Sequence, residues 1–267
     1  EQTLRRKGRS GIFSLHHEKE KMPERPFLRR VCSFTRYPME RNSVSDFYRL
    51  LSLYEDYLSY GYERERDDDP GLSVVQTQTG EDSLDAIAFE VRSCRLCRLS
   101  ATRKQPVPGM GKSSPLVLVV GEAPGAEEDA EGLPFVGAAG KYLDKWLGAI
   151  GLDRNTNTYI TNVVKCRPPQ NRDPLPEESA CCLPFLVRQI DLLKPKAILT
   201  VGRISSQLLT GQALGIGQMR GRIYRYRDIP LFVTYHPSAV LRNQAEYRSP
   251  VWEDLKRLKE YLKDDLR

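Results

Sequence analysis

The apolar pattern of this chain changes character twice. Residues 1–38 show no apolar period and are rich in Arg, Lys, Pro and Ser, a composition that predicts little fixed structure. From Ser45, the residues Phe47, Leu50, Leu51, Tyr54, Tyr57 and Leu58 recur at three- and four-residue spacing. That spacing predicts a helix with one aromatic and aliphatic face, capped by Ser45 and ended by Gly61. The acidic run over 63–70, with three successive Asp, reads as a solvated linker that extends through Gly80.

Beyond Ser83, short β-rich runs alternate with longer segments of helical period. The strands are expected over 116–120, 159–163, 197–201 and 231–235, and the helices over 137–150, 177–193, 203–209 and 247–262. The strand runs are continuously β-rich and are separated by helices of about ten residues or more, which implies a parallel sheet buried on both faces. The expected fold is α/β, a three-layer αβα sandwich around a central, mainly parallel four-stranded sheet. It occupies residues 83–267 and is preceded by an arm over 1–38 and a helix plus linker over 39–82. Ligands of such folds sit at the carboxyl ends of the strands. Three strands lead there into unusual loops: GEAPG after the first, 162–169 at the second and HPS after the fourth.

Composition narrows the classes. With 267 residues and 40% hydrophobic content the chain can bury a real core. No run of eighteen apolar residues exists, so no membrane-spanning helix is expected. Six cysteines are too sparse for a disulfide scaffold and point to a reducing, cytoplasmic setting. The net charge of +6 is uneven: residues 1–38 hold ten Lys/Arg against four Asp/Glu, and residues 39–82 hold four against eleven. Met39 opens a more protein-like stretch, so the arm reads as upstream translated or disordered sequence. Glu18, Glu20 and Glu24 argue against a transit peptide, and a nonspecific DNA tether is the other reading.

Cys94 and Cys97 form a CxxC, while Cys166 and Cys182 lie after the second strand and within the next helix. Four thiolates suit either zinc or a [4Fe-4S] cluster, and spacing does not choose between them. Cys181 competes with Cys182 for the fourth position. Two nucleotide-binding patterns fail: PGMGKSS has Pro106 where a phosphate loop needs Gly, and GxGxxG is absent.

The blocks CRLC (94–97), VGEAPGAEED (120–129), GLPFVGAAG (132–140), ITNVVKCRPPQNRDP (160–174) and HPSAVLRN (236–243) occur in one order. In that order they resemble the family 4, iron-sulfur uracil-DNA glycosylases over roughly residues 84–262. The resemblance implies a [4Fe-4S] cluster on Cys94, Cys97, Cys166 and Cys182, the last favoured over Cys181 because Pro184 follows it at two residues. It also implies hydrolytic removal of uracil from DNA, single- or double-stranded, by a monomer with no membrane partner.

The chemistry of each block fits that implication. A glycosylase extrudes its nucleotide, reads the base edge and stabilises the departing base. Asn162 can donate to uracil O4 and accept from N3–H, a pattern that cytosine reverses. Phe135 is where the family places its stacking ring, and Glu128 is the expected obstacle to a 5-methyl group. His236 is expected to donate to uracil O2, in either protonation state. Val240 and Leu241 would wedge into the vacated stack, with Ser238 and Arg242 at the phosphates. Ala123 stands where better-known relatives carry a water-activating Asp. Catalysis would then lean on His236, on backbone donors near Glu122 and Ala123, and on water held by main chain or Glu122, unless Glu122 only shapes the pocket. The rival readings are a noncatalytic iron-sulfur DNA-binding or damage-sensing protein and an electron-transfer protein.

Overall fold

The computed structural model describes residues 82–266, so the expected arm, the helix after Ser45 and the acidic linker lie outside the described residues. In chain order the elements are α1 (Leu84–Ser93), α2 (Leu99–Thr102), β1 (Met110–Gly111), β2 (Val117–Gly121), α3 (Ala126–Glu131), α4 (Ala138–Ala149) and β3 (Thr158–Asn162). They continue with α5 (Pro176–Leu193), β4 (Ala197–Val201), α6 (Arg203–Thr210), α7 (Ile216–Met219), β5 (Ile223–Tyr226), β6 (Ile229–Thr234), α8 (Pro237–Arg242) and α9 (Gln244–Tyr261).

Six strands form one sheet in the order β1-β3-β2-β4-β6-β5. The inner four, β3, β2, β4 and β6, are parallel, and they are the four that the apolar runs predict. The two-residue β1 and the strand β5 add antiparallel edges. Neither edge was legible in the sequence: β1 is too short to carry a period, and β5 alternates between exposed and half-buried positions, ordinary for an edge. By contrast every residue of β2, β3 and β4 is buried, which matches their continuous apolar or β-branched character.

Two apolar clusters cover the two faces. Ile87 and Val91 of α1, Leu186 and Ile190 of α5, and Leu209 of α6 pack with Leu118, Ile198 and Leu231 on one side. Leu143 and Leu147 of α4, and Val251, Leu255 and Leu258 of α9, pack with Val119, Ile160, Leu199 and Phe232 on the other. Each fully buried side chain of this kind contributes about 1.5–3 kcal/mol relative to exposure. The result is the expected three-layer sandwich. Among the described residues, no helix is long and apolar enough to cross a membrane.

The strand order sets up the site. Chain direction leads from β2 outward to β3 on one side and then back to β4 on the other, so the order reverses at β2. Crevices at such reversals, beyond the carboxyl ends of the strands, are where open α/β sheets bind ligands. The β2 and β3 backbones stay paired past their ends, because Val163 N–H donates to Gly121 O at 3.0 Å and Val164 N–H to Glu122 O at 3.1 Å.

Candidate active site and cysteine cavity

Three of the sequence-predicted residues converge at this crevice. Asn162 closes β3 and is 1% exposed; its Oδ1 is buried with no hydrogen-bond partner among the described residues. Phe135 reaches in from the loop between α3 and α4, and its ring lies 5.7 Å from the His236 ring, tilted by 34°. Gly121 lies between them: a Cβ there would stand 2.3 Å from Asn162 Oδ1 and 2.6 Å from Phe135 Cζ. Any side chain at 121 would displace the amide or the ring, so the absence of a side chain is what brings β2 against both.

The Phe135 loop is held by an unusual set of contacts. Phe135 has φ +53°, a left-handed conformation that a bulky residue adopts only when its surroundings impose it. Arg154 imposes it from one side, donating through Nη2 to Phe135 O at 2.8 Å and through Nη1 to Pro134 O at 3.3 Å, while its Nε is held by Asp144 at 2.8 Å. Glu128 acts from the other side: Oε1 accepts from Val136 and Gly137 N–H, each at 2.9 Å, and Oε2 accepts from Gly125 N–H at 3.0 Å. Both oxygens of Glu128 are therefore engaged by main chain, which fixes where the carboxylate stands. Gly140 permits the loop to sit on α4, since a Cβ there would lie 1.8 Å from Phe135 O.

His236 caps α8 and is half-buried. Its Nδ1 accepts from Ser238 N–H at 3.2 Å and lies 2.8 Å from Ser238 Oγ. A backbone N–H can only donate, so Nδ1 carries no proton and the neutral ring is the Nε2–H tautomer. Burial, with a lesser push from the Arg242 charge and opposed by Glu128, moves the imidazole down to about 4. Of the two forms that the sequence left open, this environment favours the neutral ring at physiological pH. Arg242 is exposed and donates to Ser238 Oγ at 3.4 Å.

Glu122 follows β2. Burial, and then the Asp173 carboxylate beside it, push its carboxyl up to about 7, with Arg203 opposing. Asp173 is in turn ion-paired to Arg203 at the start of α6. Ala123 is half-buried against the α5 side of the core. The wedge expectation needs one correction: Val240 is 0% exposed within the core around α4, so it cannot leave the protein interior without opening that core. Leu241, at 38% exposure, is the apolar side chain that α8 presents outward.

The cysteines gather separately, on the α1 and α5 side of the sheet. Cys94, Cys97, Cys166, Cys181 and Cys182 all line one small cavity, together with Val91, Leu96, Arg103, Lys165 and Phe185 among others. Among the described residues, no group of three or more His, Cys, Asp or Glu side chains closes on a point as it would around one metal ion. Four cysteine thiolates suit either zinc or an iron-sulfur cluster, and the donor set gathered here fits both. Polar donors already point at the sulfurs: Arg103 Nη1 is 2.9 Å from Cys166 Sγ, and Lys165 N–H donates to Cys182 Sγ at 3.2 Å. Burial pushes the thiol of Cys97 up to about 11 and that of Cys182 up to about 12, and raises Cys166 and Cys181. Thiols in that state are protonated until a metal displaces the protons.

The sequence reading missed Arg154, Gly121, Gly140, Asp173, Arg203, Arg103 and Lys165. Only Lys165 carried a signal, as a lone charge directly after the uncharged run 158–164.

Comparison with known proteins decides the family. The family model described as "Uracil DNA glycosylase superfamily" matches residues 108–256, a span that contains Gly121, Phe135, Asn162 and His236. The chain belongs to the uracil-DNA glycosylase superfamily. Within it, the type-4 uracil-DNA glycosylase of Saccharolobus solfataricus is 45% identical over 190 residues, covering 68% of this chain and 87% of that protein. The type-4 uracil-DNA glycosylase of Thermotoga maritima is 39% identical, covering 70% of this chain and 98% of that protein. That of Archaeoglobus fulgidus is 42% identical, covering 67% and 93% respectively. These glycosylase relatives are matched over nearly their whole length, so the chain is a type-4 member of the superfamily.

Proposed function

We infer that this protein removes uracil from DNA by hydrolysing the N-glycosidic bond, leaving an abasic site. The observation that carries the reading is the buried Asn162 Oδ1 with no partner among the described residues, beside the Phe135 and His236 rings. A buried acceptor left unpaired costs about 1–3 kcal/mol, and an extruded uracil offers the missing donor in its N3–H. Cytosine offers an acceptor at the same atom and leaves the deficit in place, so the same group supports discrimination between the two bases.

In this reading Phe135 stacks on the base and the Nε2–H of His236 donates to uracil O2. As the bond from C1′ to N1 breaks, the electron pair stays on the base, and a neutral donor at O2 stabilises the resulting anion. Water then forms the new bond to C1′. Its proton has an acceptor in Glu122, whose raised carboxyl exists in both forms near neutrality. Ala123 contributes only main chain, and Glu128, fixed by three backbone donors, stands as the rigid obstacle to a 5-methyl group. Leu241 fills the vacated stack, and Arg242 and Ser238 meet the flanking phosphates.

The cysteine cavity supports a [4Fe-4S] cluster held by Cys94, Cys97, Cys166 and Cys182. Cys182 is preferred to Cys181 because its sulfur accepts an N–H bond of the kind that thiolate ligands use. When bound, such a cluster joins the segment before β1 to the loop after β3. The reading is completed by action as a monomer on uracil-containing DNA, in the reducing cytoplasm that the sparse cysteines suggest.

The deciding experiment is excision from a single-stranded oligonucleotide carrying one uracil. Alkali-labile abasic product is expected. Intact DNA, from protein that carries its cluster and binds the oligonucleotide, would favour a noncatalytic damage-binding role instead.

A further inference from the structure

Lys165 is 1% exposed and among the largest fully buried side chains. Its Nζ donates to Thr161 Oγ1 at 2.6 Å, to Asn162 O at 2.7 Å and to Gln189 Oε1 at 2.7 Å. Three oxygen acceptors around three N–H donors is the full complement of an ammonium group. The acceptors are themselves locked, since Gln189 Nε2 and Thr161 Oγ1 both donate to Pro108 O, at 2.7 and 3.1 Å. None of the three is a carboxylate, and among the described residues no ion pair is formed by Lys165. A buried cation without an anion is strongly unfavourable. The same residue, however, lines the cysteine cavity, precedes Cys166 and donates its own N–H to Cys182 Sγ.

We propose that Lys165 is the built-in counter-charge of the anionic thiolate centre in the cysteine cavity and, through its bond to Asn162 O, a positioning residue that couples that centre to the base-reading amide. The proposal rests on the functional reading above for its second half only. Gln189 lies on the same helix as Cys182, so α5 contributes to both ends of the coupling.

The test uses the full chain with its cluster loaded, and reads iron content, the cluster reduction potential and the Kd for free uracil. Lys165→Met removes a nearby positive charge, which lowers the potential, and frees the Asn162 peptide, which weakens uracil binding by roughly tenfold. Gln189→Glu separates the two jobs. It gives the ammonium a carboxylate partner, so the potential falls, while the bond to Asn162 O survives and the uracil Kd stays within about twofold. An unchanged potential in both variants overturns the counter-charge, and an unchanged uracil Kd in Lys165→Met overturns the coupling. Should Lys165→Met not fold, Gln189→Glu decides the first half, and Lys165→Gln, polar but one bond shorter, decides the second through a several-fold loss of uracil affinity, with unchanged affinity overturning it. A wild-type protein that excises no uracil but shows the potential shifts would sink the glycosylase reading and leave the counter-charge standing.

Discussion

The base crevice and the cysteine cavity lie within a few residues of one another along the loop after β3, yet they are built on opposite principles. At the crevice, the positions are set by protein alone: strand ends place Asn162 and Gly121, and Arg154 and Glu128 clasp the Phe135 loop through four hydrogen bonds to main chain. At the cavity, the thiols come from a loop, a strand exit and a helix, burial raises the proton affinity of Cys97 and Cys182, and the proposed cluster would tie the three segments together. The difference teaches where each site is fragile. The crevice depends on rigid backbone and should fail chemically while staying folded; the cavity should fail structurally.

The sharpest break of this comparison is at the reading and leaving-group residues. Asn162→Ala and His236→Ala are expected to lower single-turnover excision by about 10²–10³-fold with an unchanged melting temperature. Near-wild-type rates in either variant would mean that the pocket has been misassigned. Cys94→Ser should show the opposite signature, losing the brown cluster absorbance and much of the soluble yield. Retained iron with full stability would refute the four-cysteine assignment.

A smaller effect tests the clasp. Arg154→Met leaves the strained Phe135 backbone without its partner and should reduce kcat/KM by about tenfold, with the iron content untouched. A loss of iron there would erase the separation between the two regions.

The mildest prediction is one of pH. Glu122 titrates near 7 in the fold, so excision that uses its carboxylate should rise between pH 6 and 8 and then level, by a few-fold. His236, held down to about 4, adds no limb near 6.5. Because the folded carboxyl lies above its ordinary value of 4.5, its contribution to stability is complete below that value and is lost as pH rises through about 7. Glu122→Gln should abolish both trends. A rate limb that persists in the Gln variant would assign it to another group and leave Glu122 a shape-giving role.

What the amino-acid sequence determined by itself was whatever local pattern carries. Four continuous β-rich runs separated by helical periods dictate a parallel sheet covered on both faces, and they were legible because burial on both sides leaves no alternation with charged residues. Strand limits also fix where Asn162 and His236 emerge, while the roles proposed for them came from the resemblance of the blocks around them. Tertiary structure decided the rest. The edges β1 and β5 exist only because a neighbouring strand offers unpaired groups. Val240 reads like Leu241 in sequence, yet the step of about 100° between adjacent residues of α8 sends the first into the core and the second outward. Arg154 lies nineteen residues from the carbonyl that it holds, and Gln189 twenty-four from the ammonium that it accepts. No periodicity connects such positions, because a hydrogen bond depends on distance in space, and distance in space is set by how the layers pack.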